Sequence, residues 1–592
     1  MRYVKTVWGQ AGRMIRGIGL MLTFGLLVGC EAEKTALDLE KADLVFTNGR
    51  IYTLDETRPW AEAVAIKDDR ILYVGSMEES RAYMGEATQI RDLGGKVMMP
   101  GFIDTHSHPI DGGGFVKALA LDPFASVDAW LEAIKDYAAT HPDMPIVFGY
   151  GYLATAFGEG GPTRQMLDEI VSDRPVLIMD EGFHTAWGNS RTLEKLGIGK
   201  ETPDPVPGFS MYKRDENGHP TGWFLEGTAG MAMEDLNIMN EERVSEGAAE
   251  VFRIMNAYGV TSAFDAGSLD VGEMLPDILA SLQKGGAMTV RLVGSLMVNH
   301  PDKMEGALDQ LAALEEKTKS DLVEFRVLKI MDDGTIEGRT AGMFEEYQND
   351  PGNKGATVFT VDQLVSLMNA AVARGYDVHV HALGERAISE TLDAIEIVKR
   401  DAPADSPSRF TICHVQVIAD KDLERFARLG VIAQSTPLWA SYDDMGRQFV
   451  SDDQFQRYFR YNSLKQAGVR LTFGSDYPAS GAGTLGMSPL YNMEIGHTRQ
   501  YAGTPDAPIQ PRESERLDIA SLIRGYTLDA AYQLHLEDQI GSIEVGKKAD
   551  LVVLGQNPFD VNAYDIHRIP VLLTMMGGKV VYERPEQNKK YK

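Results

Sequence analysis

The chain has two cysteines in 592 residues, Cys30 and Cys413, so no disulfide framework supports the fold and its stability must come from buried apolar surface. Basic residues are also scarce: 58 Lys and Arg stand against 86 Asp and Glu, a formal charge of −28. Nucleic-acid phosphates need clustered Lys and Arg, so that class of partner is excluded. The N-terminus lacks a membrane span. Its apolar run, Ile18 to Val28, follows Arg2, Lys5, Arg13 and Arg16 and reaches about half of the ~20 residues that cross a bilayer, which is the pattern of a signal peptide.

That segment ends in Leu27-Val28-Gly29-Cys30, which resembles a bacterial lipobox, where cleavage before the cysteine frees it for acylation. An ordinary signal peptide that happens to contain Cys30 is the competing reading. The expectation is a lipoprotein signal peptide at 1–29, a tether at 30–41 and a chain lipid-anchored at Cys30 in a bacterial cell envelope, facing the periplasm or exterior. Beyond the leader, 44% hydrophobic and 24% charged residues describe an ordinary globular body with a large core.

Two apolar runs, Ala42 to Leu54 and Ala61 to Gly75, flank Asp55-Glu56-Thr57-Arg58-Pro59, and Gly541 to Glu583 has the same texture. Neither end supplies enough strands to cover a face, so the two are expected to pair across the chain as one composite β-sandwich domain, 42–97 with 537–585. Between them, short apolar strands alternate with helical stretches. Strand candidates fall at Met98–His106, Val260–Ala266, Val290–Leu296, Phe325–Met331, Asp377–His381, Arg409–His414, Val431–Ser435 and Arg470–Asp476. Eight such units make a closed (β/α)8 TIM barrel, placed here at 98–536. A long insertion at about 109–255, with Asp111-Gly112-Gly113-Gly114 and Pro203–Pro207, reads as a region that covers substrate, with a purely stabilising decoration as the other reading.

The chemistry-bearing residues stand at the ends of these strands. In Pro100-Gly101-Phe102-Ile103-Asp104-Thr105-His106-Ser107-His108, the i, i+2 spacing aims His106 and His108 at one point from the C-terminal rim, where barrel enzymes keep their sites. Two imidazoles so aimed are a metal clamp. Lys329 lies on the buried face of Val327-Leu328-Lys329-Ile330-Met331, where burial penalises an ammonium. It needs a task or a partner: its neutral amine adds carbon dioxide to give a carbamate that bridges two metals, or it pairs with Asp332 or Asp333. His381, His414 and Asp476 end three further strands. His379 shares a face with His381 one layer deeper and is expected to fill core, while Cys413 is expected to face away as a small buried hydrophobe.

These segments, with His381-Ala382-Leu383-Gly384-Glu385-Arg386-Ala387, Gly474-Ser475-Asp476-Tyr477-Pro478 and Ala549-Asp550-Leu551-Val552-Val553-Leu554, resemble the amidohydrolase superfamily, in the type 3 branch that includes N-substituted formamide deformylases. The resemblance runs from about Asp43 to Glu583, and His184-Thr185-Ala186-Trp187-Gly188-Asn189-Ser190 and Pro220-Thr221-Gly222-Trp223-Phe224-Leu225-Glu226 look like further segments of that branch. Two departures are Asp332-Asp333 before Gly334, where one acidic residue is common, and Glu385 in place of Asp, read as an adjustment behind the metal ligands. The resemblance implies a carbamylated lysine at Lys329 and usually zinc.

On that basis His106, His108 and Asp476 would hold one divalent metal and His381 and His414 a second, with carbamylated Lys329 between them. Water held by such a pair is acidified toward neutrality, and the hydroxide attacks a carbonyl of a small amide-type substrate. Asp476 passes the proton to the leaving nitrogen, and His184 donates to the developing oxyanion. A deaminase on the same barrel is the nearest rival; it needs a separate glutamate, and the residue three beyond His381 is Gly384. A non-catalytic lipid-anchored binding protein is the rival from another class, and it gives no reason for six metal-type residues at strand ends.

Overall fold

The computed structural model describes residues 39–585 apart from 123–124, 158–159, 206–209, 269–270 and 404. Cys30, with the expected leader and most of the expected tether, lies outside the described residues, as does part of Pro203–Pro207. Among the described residues no helix is long and apolar enough to cross a membrane.

Eight parallel strands form the central barrel: β1 (Phe102–Ser107), β2 (Val260–Asp265), β3 (Arg291–Val298), β4 (Val323–Met331), β5 (Asp377–Ala382), β6 (Phe410–His414), β7 (Ile432–Ser435) and β8 (Leu471–Phe473). They pair in chain order from β1 to β8. Their sequences are short runs rich in Val, Ile, Phe and Leu that lie buried on both faces, as a parallel sheet inside a ring of helices requires. Beyond β8 the ring is closed by the backbone N–H of Asp476, which donates to the His106 carbonyl at 2.7 Å. The Asp104 carboxylate, accepting from Ser475 N–H at 3.0 Å, adds a second link.

The expected first strand, Met98–His106, divides at Gly101. Val97–Pro100 joins the terminal sheet and β1 joins the barrel. A side chain at Gly101 would stand 2.4 Å from Thr261 Oγ1, so only glycine lets the chain pass from one sheet to the other at this point.

The two ends of the chain form a sandwich. In one sheet, Leu551–Leu554 pairs antiparallel with both Val97–Pro100 and Val571–Met576, mixing N- and C-terminal strands. The other, built on Leu44–Thr47, Ala63–Lys67, Arg70–Gly75 and Gln89–Asp92, is N-terminal only. Between them lie Phe46, Ile51, Val64, Ile66, Met98, Leu551 and Met575, all buried.

After β1 the chain builds a separate six-stranded sheet, from Leu119–Ala120 to Pro220–Leu225, around the buried Trp130, Tyr152 and Trp187. Val176–Asp180 and Thr185–Gly188 make an antiparallel hairpin in it, and the hairpin loop carries Glu181 and His184. Helix α1 (Glu241–Ala257) then leads into β2. It crosses the Asp111–Gly114 turn with Gly247 against Gly113, so closely that a Cβ on Gly247 would lie 1.8 Å from the Gly113 carbonyl oxygen.

Candidate active site

All six expected rim residues converge. His106 Nε2 and His108 Nε2 each lie 3.4 Å from Asp476 Oδ1, and Asp476 Oδ2 lies 3.9 Å from His414 Nδ1. The His381 and His414 rings are 4.4 Å apart at their centroids. Lys329 Nζ reaches within 3.5 Å of His106 Nε2. The group is buried: His106 is 1%, Lys329 2% and Asp476 6% exposed, with His108 the most open.

Register and backbone conformation explain the convergence. Lys329 on β4 pairs with His379 on β5, and His381 with Cys413 on β6, so these four side chains share the barrel's inner face. Strict alternation would then turn His414 outward. His414 instead has φ of 72°, and Asp476 has φ of 50°. This left-handed backbone, unfavourable for a residue with a Cβ, bends each chain so that its polar side chain enters the site.

The arrangement suits metal ions. Donors ~2.0–2.1 Å from a tetrahedral zinc stand ~3.4 Å from one another, which matches the separation of Asp476 Oδ1 from each of the two imidazole nitrogens, and all three ligand atoms lie within 4.8 Å of one another. His381 Nε2 and His414 Nδ1 are buried with no hydrogen-bond partner among the described residues, a cost that a cation would relieve. Burial, then the Lys329 charge, holds His106 and His381 well below the ordinary histidine range, and burial followed by His381 does the same for His414. These imidazoles are therefore neutral at neutral pH and keep a free lone pair. Burial also depresses His108, but its Asp476 partner outweighs this and leaves it raised.

Two expectations are corrected. Cys413 does not face away: its Sγ accepts from Lys329 Nζ at 3.2 Å, and it clusters with His106 and His414 with ligand atoms within 4.8 Å of one another. The reversed backbone at His414 puts two consecutive residues on one side, which alternation alone cannot foresee. His379 does more than fill core. Its Nε2 lies 2.9 Å from His106 Nδ1 and so orients that ring. Its i, i+2 relation to His381 was the available signal.

Supporting carboxylates complete the shell. Asp333 lies 3.6 Å from His381 Nε2 and accepts from the N–H groups of Gly342, Leu383 and Gly384 at 2.9–3.0 Å, anchoring the loop after β5. Asp332 accepts from Phe359 N–H at 3.3 Å. Among the described residues neither forms an ion pair with Lys329, whose hydrogen bonds go to Cys413 and His106. Glu385 turns away from the rim to Arg457 and Gln454. Gly384 packs on Gly342, where a Cβ would stand 2.2 Å from the carbonyl oxygen, so no glutamate shuttle fits there.

His184 stands on the hairpin loop of the inserted sheet, 2.9 Å from Glu226. Burial opposes its protonation, but the Glu226 hydrogen bond and the nearby Asp180 and Glu181 charges outweigh that and raise its pKa. The loop reaches the rim: a Cβ on Gly481, in the segment after Asp476, would lie 2.8 Å from Glu181 Oε1.

Comparison with known proteins agrees with this architecture. The amidohydrolase family model matches residues 89–582. The chain is 29% identical over 558 residues to N-substituted formamide deformylase of Arthrobacter pascens, covering 92% of this chain and 98% of that protein. It is 29% identical over 545 residues to the putative amidohydrolase YtcJ of Bacillus subtilis (strain 168), covering 91% and 99%. An uncharacterised metal-dependent hydrolase from Pyrococcus furiosus has the same fold, with a TM-score of 0.67 at 24% identity over 87% of this chain and 100% of that one. The match over most of the length, on a barrel with this rim, means that the chain belongs to the amidohydrolase family and is a hydrolase of carbon–nitrogen bonds.

Proposed function

We propose that this amidohydrolase is metal-dependent and cleaves a small amide-type substrate, with His106, His108 and Asp476 holding one divalent ion, His381 and His414 a second, and Lys329, as its carbamate, between them. The observation that carries the reading is the set of 3.4 Å separations linking Asp476 Oδ1 to two histidine Nε2 atoms. Mixed nitrogen and oxygen donors of this kind favour zinc. When bound, the ions acidify water and polarise the substrate carbonyl.

The chain's own residues do the rest. Asp476 accepts the proton given up by the attacking water and delivers it to the departing nitrogen as the tetrahedral centre collapses, so that carboxylic acid and amine leave with the elements of water added. His184, whose imidazole Glu226 shifts toward the protonated form, donates to the oxygen on which charge develops. Lys329 is well placed for its role because its Nζ meets a thiol and an imidazole and, among the described residues, forms no ion pair with a carboxylate that would hold the amine in its charged form. N-substituted formamides, the substrates named for the Arthrobacter pascens relative, are the first to try. We extend the proposal to location: acylation at Cys30 tethers the enzyme to the cell envelope.

Metal analysis and Lys329→Ala test the reading together. The purified protein should carry close to two divalent ions per chain and lose hydrolysis to chelators. Lys329→Ala should lose metal and regain part of it with short carboxylic acids that replace the carbamate. Hydrolysis that persists in metal-free protein would overturn the proposal.

A further inference from the structure

Among the described residues Lys329 Nζ has two hydrogen-bonding neighbours, His106 Nε2 at 3.5 Å and Cys413 Sγ at 3.2 Å. The first contact cannot persist in a loaded site, because there the His106 Nε2 lone pair belongs to a metal ion. The second can. Cys413 is fully buried on the inner face of β6, where its register partner is His381. Its sulfur thus meets the lysine inside the barrel, and the reaction as described gives it no task.

Carbamate formation changes what this lysine needs. The lone pair of the neutral amine adds to the carbon of CO2, a C–N bond forms as one carbon–oxygen π bond opens onto oxygen, and one amine proton leaves to water. The nitrogen is then conjugated with the new carboxylate, planar like a peptide nitrogen, and keeps a single N–H. In a buried site that N–H is costly unless it finds an acceptor. The neighbouring groups are spent elsewhere: Asp333 on the N–H groups of Gly342, Leu383 and Gly384, Asp332 on that of Phe359, and His379 Nε2 on His106 Nδ1. The acceptor already in place is Cys413 Sγ. Its charge also suits the task. Burial pushes the thiol up to about 12, so it stays a neutral S–H, whereas a carboxylate in its place would favour the ammonium, which has no lone pair for CO2.

We propose that Cys413 is a positioning residue for the carbamate on Lys329: its sulfur accepts the remaining N–H and so fixes the plane in which the two carbamate oxygens lie. The inference rests on the carbamate in the hydrolase reading above and adds the residue that holds it. Sulfur is a weak acceptor, but the bond is fixed by the barrel on both sides. Lys329 and Cys413 stand on β4 and β6, each aligned with the strand between them, at His379 and His381. The competing role for Cys413 is to ligate a metal itself, since its Sγ groups with His106 and His414 within 4.8 Å.

The test titrates 13C-bicarbonate into the zinc-loaded full-length protein and follows the 13C resonance of the carbamate. Wild type should show that resonance and Lys329→Ala should not. Cys413→Ala and Cys413→Val should each need ~3–10-fold more bicarbonate for half occupancy, the effect of losing one buried hydrogen bond, and should fill at high bicarbonate. Cys413→Ser keeps a neutral acceptor and should recover most of that shift. Ala and Val differ in the space they leave, so a shift common to both reports the lost acceptor and not the packing, and circular dichroism confirms that each is folded. Half occupancy at the wild-type bicarbonate level in a folded Ala or Val variant, or a Ser variant no better than Ala, would overturn the proposal. A thiolate-to-metal charge-transfer band in cobalt-loaded wild type, lost in Cys413→Ala, would overturn it in favour of direct ligation. All of these leave the carbamate standing, whereas a wild type without the resonance at any bicarbonate level would remove the carbamate from the hydrolase reading and this inference with it.

Discussion

His106 divides its ring between two tasks. Its Nε2 faces Asp476 and Lys329, while Nδ1 meets His379 Nε2 at 2.9 Å. Both imidazoles are pushed toward the neutral form, by burial first and then by Lys329, so one ring nitrogen must donate and the other accept. A lone pair free for a metal at His106 Nε2 requires the proton on Nδ1, which makes His379 Nε2 the acceptor. His379 is therefore a positioning residue. His379→Leu should weaken metal binding by ~10–100-fold, the usual cost of losing such a partner, whereas His379→Gln, which offers an oxygen acceptor, should recover part of it. Metal titration of folded variants reads this directly, and equal affinities for the two variants would show that His379 only fills space.

At the scale of elements, the closest approach in the site's surroundings is that of α1 to the Asp111–Gly114 turn. Gly247 and Gly113 meet with no side chain between them, and each would clash with the other's backbone if given a Cβ. The turn begins where the His108 carbonyl accepts from Gly112 N–H at 2.7 Å, so the helix helps set where His108 stands. Gly247→Ala forces the two apart. It should cost ~1–3 kcal/mol, as overpacked interiors do, seen as a lower Tm, and should reduce metal content besides. A Gly247→Ala protein as stable as wild type would mean that the turn yields freely. Elsewhere, Glu385 at the start of Glu385–Asp401 joins Arg457 instead of the metal ligands, tying the helix after β5 to the segment after β7. Its exchange for the more common aspartate thus concerns the reach of a side chain to Arg457.

For the molecule as a whole, the sandwich built from both chain ends holds the barrel's bottom, and the inserted sheet brings its hairpin to the top. The proposed anchor lies far from this chemistry in sequence. Cys30→Ala should release the protein from the membrane fraction, or block its maturation, with unchanged turnover per folded molecule. Each buried methylene of an acyl chain contributes ~0.8 kcal/mol, and stable anchoring takes more than one chain. Fractionation with mass analysis of the N-terminus reads the outcome, and wild type found as cytoplasmic protein with residues 1–29 attached would refute the anchor.

Local pattern was enough to mark eight strands, the pairing of the chain ends and the candidate residues at the strand ends, because hydrophobic period and strand ends are short-range properties; that His414 and Asp476 turn inward rests on left-handed backbone that the pattern does not show. Met98–His106 read as one strand because both its halves are apolar; the break at Gly101 depends on Thr261, far away in the chain. Cys413 and His379 were misjudged for a related reason. Which way a side chain finally points at β6 depends on the left-handed turn at His414, and which ring His379 meets depends on β1 crossing the barrel.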